Sequence, residues 1–283
     1  MEILKTKAEM RAWSKKKKRE GRTISFVPTM GSLHQGHISL LTQGKPLCDE
    51  LVLSIFVNPT QFGPNEDLDA YPQNIEMDLK LAEATGTTAV FLPHTDEMYG
   101  DNYQTRVALD HLPNYLCGKS RPGHFGGVAT VVTKLFNIVM PDVAVFGKKD
   151  YQQLQIIKQL VLDLDFDIEI IPVEIVREED GLAMSSRNAY MTSEQRNVAL
   201  CLSKSITLAK ERIAAGDTDA NDIIRAMTDY IHGFDHTRVD YIAFCDPVTL
   251  VPMAVIDRQT VVAMAVHVGK SRLLDNALIN PPV

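Results

Sequence analysis

Two histidines three residues apart carry the most chemistry in this chain: His34 and His37, in Pro28-Thr29-Met30-Gly31-Ser32-Leu33-His34-Gln35-Gly36-His37. At that spacing in a first helical turn, two imidazoles can face the same site. Beside phosphates they supply hydrogen bonds and, when protonated, positive charge where negative charge develops. Gly31 and Gly36 remove side-chain bulk where a ligand must come close to the backbone. An apolar run at residues 23–27 precedes the motif, and Ile38, Leu40 and Leu41 follow at helical spacing, which predicts strand, turn and helix. Such a turn is expected to offer unpaired N–H groups at a helix N-terminus to an anionic phosphate. The plainer reading is two surface histidines near a glycine turn.

Three further stretches carry chemistry. Asn58 and Gln61 stand in Asn58-Pro59-Thr60-Gln61-Phe62, directly after an apolar run at residues 50–57. Ligands of open α/β sheets gather at the carboxyl ends of strands, so both amides are candidates for substrate contacts. Alternatively Asn58 shapes an Asn-Pro turn and Gln61 faces solvent. Arg121-Pro122-Gly123-His124-Phe125-Gly126-Gly127 leads into an apolar helical run, where a basic, glycine-rich segment suits an anion or forms a hinge. Gly147-Lys148-Lys149-Asp150 and Gln153 sit at a strand–helix junction, where lysine can meet phosphate and aspartate ribose hydroxyls. Asp150 can equally be a helix N-cap. Met184-Ser185-Ser186-Arg187-Asn188 offers two hydroxyls and a guanidinium to phosphate oxygens, or simply a cap and loop.

The elements that must position these residues follow from periodicity. Apolar runs at 23–27, 50–57, 87–93, 141–146 and 167–173 alternate with helical segments, and 104–109 is a possible further strand. This alternation predicts an α/β fold, a Rossmann-like doubly wound parallel sheet over residues 1–175. From Val176 the pattern changes. Helices near 192–216 and 220–233 and strands near 239–244 and 260–267 predict a smaller α+β C-terminal domain over 176–283.

Composition bounds the function. The chain has 283 residues, 45% apolar and 23% charged, with net charge −7, as expected of a globular protein and not of a general nucleic-acid binder. The run from Lys15 to Arg19 precedes Gly21 and reads as a solvated helix end. Cys48, Cys117, Cys201 and Cys245 form no Cys-x-x-Cys pair, which fits reduced thiols in a cytoplasm. The N-terminus lacks the apolar core of a signal peptide, and no run is long enough for a bilayer. A soluble, cytoplasmic protein with no membrane or nucleic-acid partner is expected.

The His-x-Gly-His pattern after a first strand resembles the signature of nucleotidyltransferases and class I aminoacyl-tRNA synthetases. Together with Ser-Ile-Phe-Val-Asn-Pro-Thr-Gln-Phe, Arg121–Gly127, Phe146–Leu154 and Asp-Gly-Leu-Ala-Met-Ser-Ser-Arg-Asn, it is similar in order and spacing to the pantoate–β-alanine ligase family. That resemblance implies ATP-dependent condensation of D-pantoate with β-alanine, through a pantoyl adenylate, with ATP and Mg²⁺ required and a homodimer formed. It implies that Met30, Gly31, Ser32, Leu33, His34, Gln35, Gly36 and His37 line the nucleotide phosphates, with His37 as proton donor. Gly147, Lys148, Lys149 and Asp150 hold the nucleotide, Lys149 on phosphate and Asp150 on ribose, and Val176 lies by the adenine. Gln61 and Gln153 bind pantoate, with Gln61 and Asn58 near β-alanine and Arg121 and His124 on the acceptor side. Met184, Ser185, Ser186 and Arg187 form a mobile phosphate loop that excludes water from the acyl adenylate. The magnesium ligands stay unknown, Asp78 being the one candidate. Cys117, Lys148 and Gly126 depart from the family pattern, where glutamate, glutamate and arginine are usual; none removes a catalytic group. A nucleotidyltransferase with a phosphate acceptor is the nearest alternative. A Rossmann redox protein would need a Gly-x-Gly-x-x-Gly turn, which residues 30–37 do not supply.

Overall fold

Apolar runs bounded by turns become the strands of a parallel sheet in this computed structural model, which describes residues 1–64 and 66–282. One compact unit comprises Met1–Asp110, Arg121–Lys148 and Gln153–Glu174. Its strands are β1 (Glu2–Leu4), β2 (Ile24–Thr29), β3 (Glu50–Ile55), β4 (Ala89–Phe91), β5 (Val143–Gly147) and β6 (Glu169–Val173). They lie in the order β1-β4-β3-β2-β5-β6, with every pairing parallel. The helices are α1 (Lys7–Arg19), α2 (Gln35–Gly44), α3 (Ile75–Ala84), α4 (Thr95–Met98), α6 (His124–Val139) and α7 (Tyr151–Asp163); α5 (Leu116–Ser120) and the first two residues of α7 group with the second unit.

Both faces of the sheet are covered, which is why β3 is buried at all six positions and carries no polar alternation. Successive side chains of β2 point to opposite faces. Phe26 meets Phe136 of α6 edge-on, 6.4 Å between ring centroids. Val27 packs with Leu41 of α2, Leu53 and Val145 in the opposite layer. β2 has β3 on one side and β5 on the other. The strand order therefore reverses at β2, and its carboxyl end opens at a topological switch point.

Three expectations need correction in this unit. β1 pairs with β4 through Ile3 and Val90, placing a strand before the one expected to be first; three residues are too few to show a period. Residues 104–109 form no strand: the Val107 N–H donates to Thr130 Oγ1 at 2.9 Å instead of joining a ladder. The lysine run is more than a solvated helix end. Lys17 and Arg22 pair with Glu50, whose side chain is 2% exposed, and Lys18 with Asp142 at 2.5 Å. Burial pushes the Glu50 carboxyl up, but its bonds to Lys17 and Arg22 outweigh this and hold it below the usual carboxylate range.

The second unit comprises His111–Ser120, Lys149–Gln152 and Ile175–Val283. Strands β7 (Thr237–Cys245), β8 (Thr260–Val268) and β9 (Ser271–Ile279) form an antiparallel sheet in that order. Helices α8 (Ser193–Ala214) and α9 (Ala220–His232) pack on it through Leu202, Ile206, Ile223 and Met227 against Phe244, Val262 and Met264. Thr192 and Gln195 cap α8 reciprocally. β9 goes beyond the two strands that periodicity predicts here. Its centre, Asp275-Asn276, is polar yet buried, because Asp275 takes a bidentate bond from Arg177, both arms at 2.8 Å.

Candidate active site

The turn after β2 is built by its own hydrogen bonds. Gly31 (φ +85°) and Ser32 (φ +52°) are left-handed. The Gly31 N–H donates to Thr29 Oγ1 at 3.2 Å, and the Ser32 and Leu33 N–H groups donate to the two oxygens of Asp78 at 2.8 and 2.7 Å. A Cβ on Gly31 would lie 3.0 Å from Asp78 Oδ2 and from Ile55 Cγ2. Glycine here thus makes room for the protein's own carboxylate, where the sequence suggested room for a ligand. Asp78 is 1% exposed. Its acceptance of the Ser32 and Leu33 N–H groups makes it an anchor of this turn, a role that the sequence did not suggest.

The two histidines then cap α2 with each other. His34 Nδ1 accepts the Gly36 N–H at 3.1 Å, and His37 Nδ1 accepts the His34 N–H at 3.3 Å. Their rings lie 4.1 Å apart. A ring nitrogen that accepts an N–H carries no proton, so in the neutral rings the proton sits on Nε2. The pair therefore presents Nε2–H donors. The expected cradle of free backbone N–H groups is not formed at Gly31, Ser32, Leu33, His34 and Gly36, each of which donates within the protein.

Beyond β3, Asn58 caps the turn Pro59–Gln61, whose last residue is the second amide. Asn58 is 1% exposed, and both ends of its amide are engaged inside the protein. Gln61 Nε2 lies 3.2 Å from Met30 Sδ. Gly127 of α6 allows this turn to close on the helix, since a Cβ there would come within 2.3 Å of the Thr60 carbonyl oxygen. At Gly126, the departure from the family pattern, the nearest atom to such a Cβ is 3.8 Å away. Arg121 and His124 approach Gln61 from its main chain. His124 Nδ1 donates to the Gln61 carbonyl at 2.8 Å while its Nε2 accepts from Arg121 Nη1 at 3.0 Å. Arg121 also forms a fork onto Glu66, 2.6 and 2.5 Å. The arginine charge is thus paired, and both residues brace the loop. Beside this turn opens a cavity of about 540 Å³ whose walls include Met30, Gly31, Phe56, Pro59 and Asp78.

At the end of β5, Gly147 pairs with Val173, and Lys148 forms an ion pair with the mostly exposed Glu174. Gln153 is half-buried in the first turn of α7. In the second unit, Lys149 Nζ is 3.5 Å from Asp150 Oδ1, and the Lys149 carbonyl accepts from Asn276 at 2.9 Å. Asp150 lies within a single 3-10 turn, Lys148–Asp150. Cys117, the second departure, has its Sγ 3.2 Å from the Tyr241 hydroxyl and beside the Arg272–Asp240 ion pair.

The segment carrying Met184, Ser185, Ser186 and Arg187 is half-buried and held from behind. The Met184 N–H donates to the Val176 carbonyl at 3.0 Å, and Asn188 Nδ2 donates to Glu178 and to the Ala183 carbonyl, 2.9 and 3.2 Å. Ser185 Oγ accepts the Arg187 N–H at 3.3 Å and caps the 3-10 turn Ser186–Tyr190. Arg196 ties Glu178 and Asp180 to α8.

Glu66 and Tyr99 were not found from sequence, and Asp78 was considered only as a magnesium ligand, not as the anchor of the turn. Asp78 had one signal: an acid on the same helical stripe as Ile75, Leu79 and Ala82. Glu66 and Tyr99 lie in loop-rich stretches where no period exists to mark them.

A doubly wound parallel sheet with a mutually capped His-x-Gly-His pair at its switch point defines an α/β enzyme of the nucleotidyltransferase type. A family model described as pantoate-β-alanine ligase matches residues 2–278. The pantothenate synthetase of Desulfatibacillum aliphaticivorans is 56% identical over 281 residues, 99% of this chain and 100% of that protein. That of Thermotoga neapolitana is 49% identical over 279 residues, again 99% and 100%. The crystal structure of pantothenate synthetase from Thermus thermophilus superposes with a TM-score of 0.94 at 39% identity, covering 99% of this chain and 100% of that one. Pantoate-β-alanine ligase from Francisella tularensis, complexed with β-γ ATP and β-alanine, gives a TM-score of 0.82 at 32% identity, covering 98% and 97%. The chain belongs to the pantoate–β-alanine ligase family.

Proposed function

We propose that this chain joins D-pantoate to β-alanine, forming pantothenate at the expense of ATP. A carboxylate is a poor acyl donor until one of its oxygens becomes part of a good leaving group. In the first step a pantoate carboxylate oxygen bonds to the α-phosphorus while the bond to the bridging oxygen breaks, its electron pair leaving with pyrophosphate. In the second, the neutral amine of β-alanine bonds to the acyl carbon and loses a proton as the C–O bond to AMP breaks. In-line displacement at phosphorus needs positioning and charge stabilisation more than covalent help.

The observation that carries this reading is the His34–His37 pair, whose Nδ1 atoms are fixed by backbone N–H groups so that the ring protons sit on Nε2, as donors suited to phosphate oxygens. In the same reading, Met30 to His37 line the phosphates, and Gly147, Lys148, Lys149, Asp150 and Val176 hold the rest of the nucleotide. Met184, Ser185, Ser186 and Arg187 meet its phosphates, and Gln61 and Gln153 bind pantoate. Asn58, Arg121 and His124 act by shaping Gln61. Among the described residues no three His, Cys, Asp or Glu side chains are grouped to hold a metal. Magnesium is therefore read as part of the Mg–ATP substrate, with no step assigned to a protein-held ion. A homodimer and a cytoplasmic location complete the proposal. The four cysteines are free thiols, and among the described residues no helix is long and apolar enough to cross a membrane.

The test is pyrophosphate release from Mg–ATP with D-pantoate, with and without β-alanine. A single turnover with pantoate alone, continuous turnover and AMP on adding β-alanine, is expected. A folded, ATP-binding protein that releases no pyrophosphate with pantoate would overturn the substrate assignment.

A further inference from the structure

The amide of Asn58 can sit only one way round. The Gly127 carbonyl accepts and cannot donate, and it lies 3.2 Å from Nδ2. The Thr60 N–H donates and cannot accept, and it faces Oδ1 at 3.4 Å, joined there by Thr60 Oγ1 at 2.9 Å. The Tyr99 hydroxyl adds a third donor to Oδ1 at 2.8 Å. Nδ2 is therefore also the atom facing Gln61, 3.0 Å from its Oε1. An amide whose oxygen is held by Asn58 must turn its nitrogen elsewhere. Gln61 Nε2 rests on the Met30 thioether, a weak acceptor that any ligand oxygen would replace favourably.

Tyr99 is well placed to hold this arrangement. Its ring meets Tyr103 edge-on at 4.9 Å and Phe56 at 6.3 Å, and Lys134 Nζ lies 5.4 Å from its centroid. Burial pushes its hydroxyl up to about 12, so it remains a donor throughout the neutral range.

We propose that Tyr99 is a positioning residue which, through Asn58, holds Gln61 with its NH₂ group turned toward the ligand, so that Gln61 selects an acceptor oxygen of the hydroxy acid. The inference rests on the reading that places pantoate at Gln61, and it adds the polarity of that contact and a residue that steadies it.

Steady-state kinetics of Tyr99→Phe, Asn58→Asp and Gln61→Ala in the full chain test it, with pantoate and ATP varied separately and thermal unfolding as control. Tyr99→Phe keeps the ring and removes one donor. It is expected to raise KM for pantoate about fivefold, leaving KM for ATP and the unfolding midpoint unchanged. Asn58→Asp replaces the donor that faces Gln61 by an acceptor, which turns Gln61 round to show its oxygen to the ligand. Its KM for pantoate should therefore rise more than that of Gln61→Ala, which shows nothing. If Gln61→Ala raises KM for pantoate but Tyr99→Phe does not, the positioning role is overturned while the pantoate assignment stands. Equal changes for pantoate and ATP in Tyr99→Phe, or an Asn58→Asp milder than Gln61→Ala, overturn it as well. If Gln61→Ala leaves KM for pantoate unchanged, the pantoate contact itself is wrong and the inference falls with it.

Discussion

Asp78→Asn separates an anchor of the histidine turn from a magnesium ligand. The carboxylate accepts the Ser32 and Leu33 N–H groups at 2.8 and 2.7 Å and is 1% exposed. A hydrogen bond to a buried charge contributes about 1.5–3 kcal/mol, and a buried donor left unmet costs about 1–3 kcal/mol. The asparagine keeps one acceptor, loses the charge on it, and turns an NH₂ group against the other N–H. The loss should be about 3 kcal/mol, a large share of the roughly 5–15 kcal/mol that holds a domain together. Ser32, at φ +52°, is released at the same time from a conformation costing about 1 kcal/mol or more. His34 lies two residues further on, so the pair should lose register and kcat should fall at least tenfold. Urea unfolding reads the first effect as a lower midpoint at constant slope, and pyrophosphate release reads the second. The magnesium concentration for half-maximal rate should not move. A midpoint shift worth under 1 kcal/mol with kcat unchanged would refute the anchoring argument, and a raised magnesium requirement at unchanged stability would restore the ligand role.

Three other outcomes follow from the same geometry. His37→Ala should abolish most pantoate-dependent pyrophosphate release while circular dichroism stays native, because the ring is half-buried at the start of α2 and not in a core; full release by a folded variant would remove the histidine from the reaction. Gly127→Ala should weaken pantoate binding and lower stability by more than about 2 kcal/mol, since the added Cβ meets the Thr60 carbonyl at 2.3 Å and must push the Gln61 turn away; unfolding midpoints and KM for pantoate check both. Glu50, held below its ordinary value of 4.5, releases its proton more readily when folded than when unfolded. Its stabilising contribution is thus present above the ordinary value and lost as pH falls through the lower folded value, so Glu50→Gln should flatten the acid limb of a thermal-stability profile below about pH 4.5.

The sheet was legible because burial on both faces leaves a strong mark: β2, β3, β4 and β5 are apolar runs between turns, and the edge strand β6 keeps two isoleucines and a valine despite its exposed positions. β9 was hidden because burial and polarity do not exclude each other where a pair is satisfied. Asp275 is buried only in company with Arg177, which stands 98 residues away in sequence. The His-x-Gly-His pair was legible as a motif. Its capping geometry was not, since each ring's partner is a backbone N–H that composition does not record. Asn58 and Gln61 were identified as amides at a strand end, but their polarity depends on Gly127 and Tyr99, 69 and 41 residues from Asn58.

The commitment of the turn's backbone has a chemical consequence. A loop that binds phosphate through main-chain N–H groups holds ground state and transition state with the same fixed donors, and most substitutions leave those donors in place. Here the N–H groups of Ser32, Leu33, His34 and Gly36 support Asp78 and the two imidazoles instead. On the proposed reading the Nε2–H groups of the two rings meet the substrate's phosphates, where they can strengthen as charge builds on the departing pyrophosphate and can also carry a proton. Only interactions that are stronger in the transition state accelerate the step. On that reading, donors placed on side chains favour rate over ground-state nucleotide affinity, so removing either ring should lower kcat more than it raises KM for ATP.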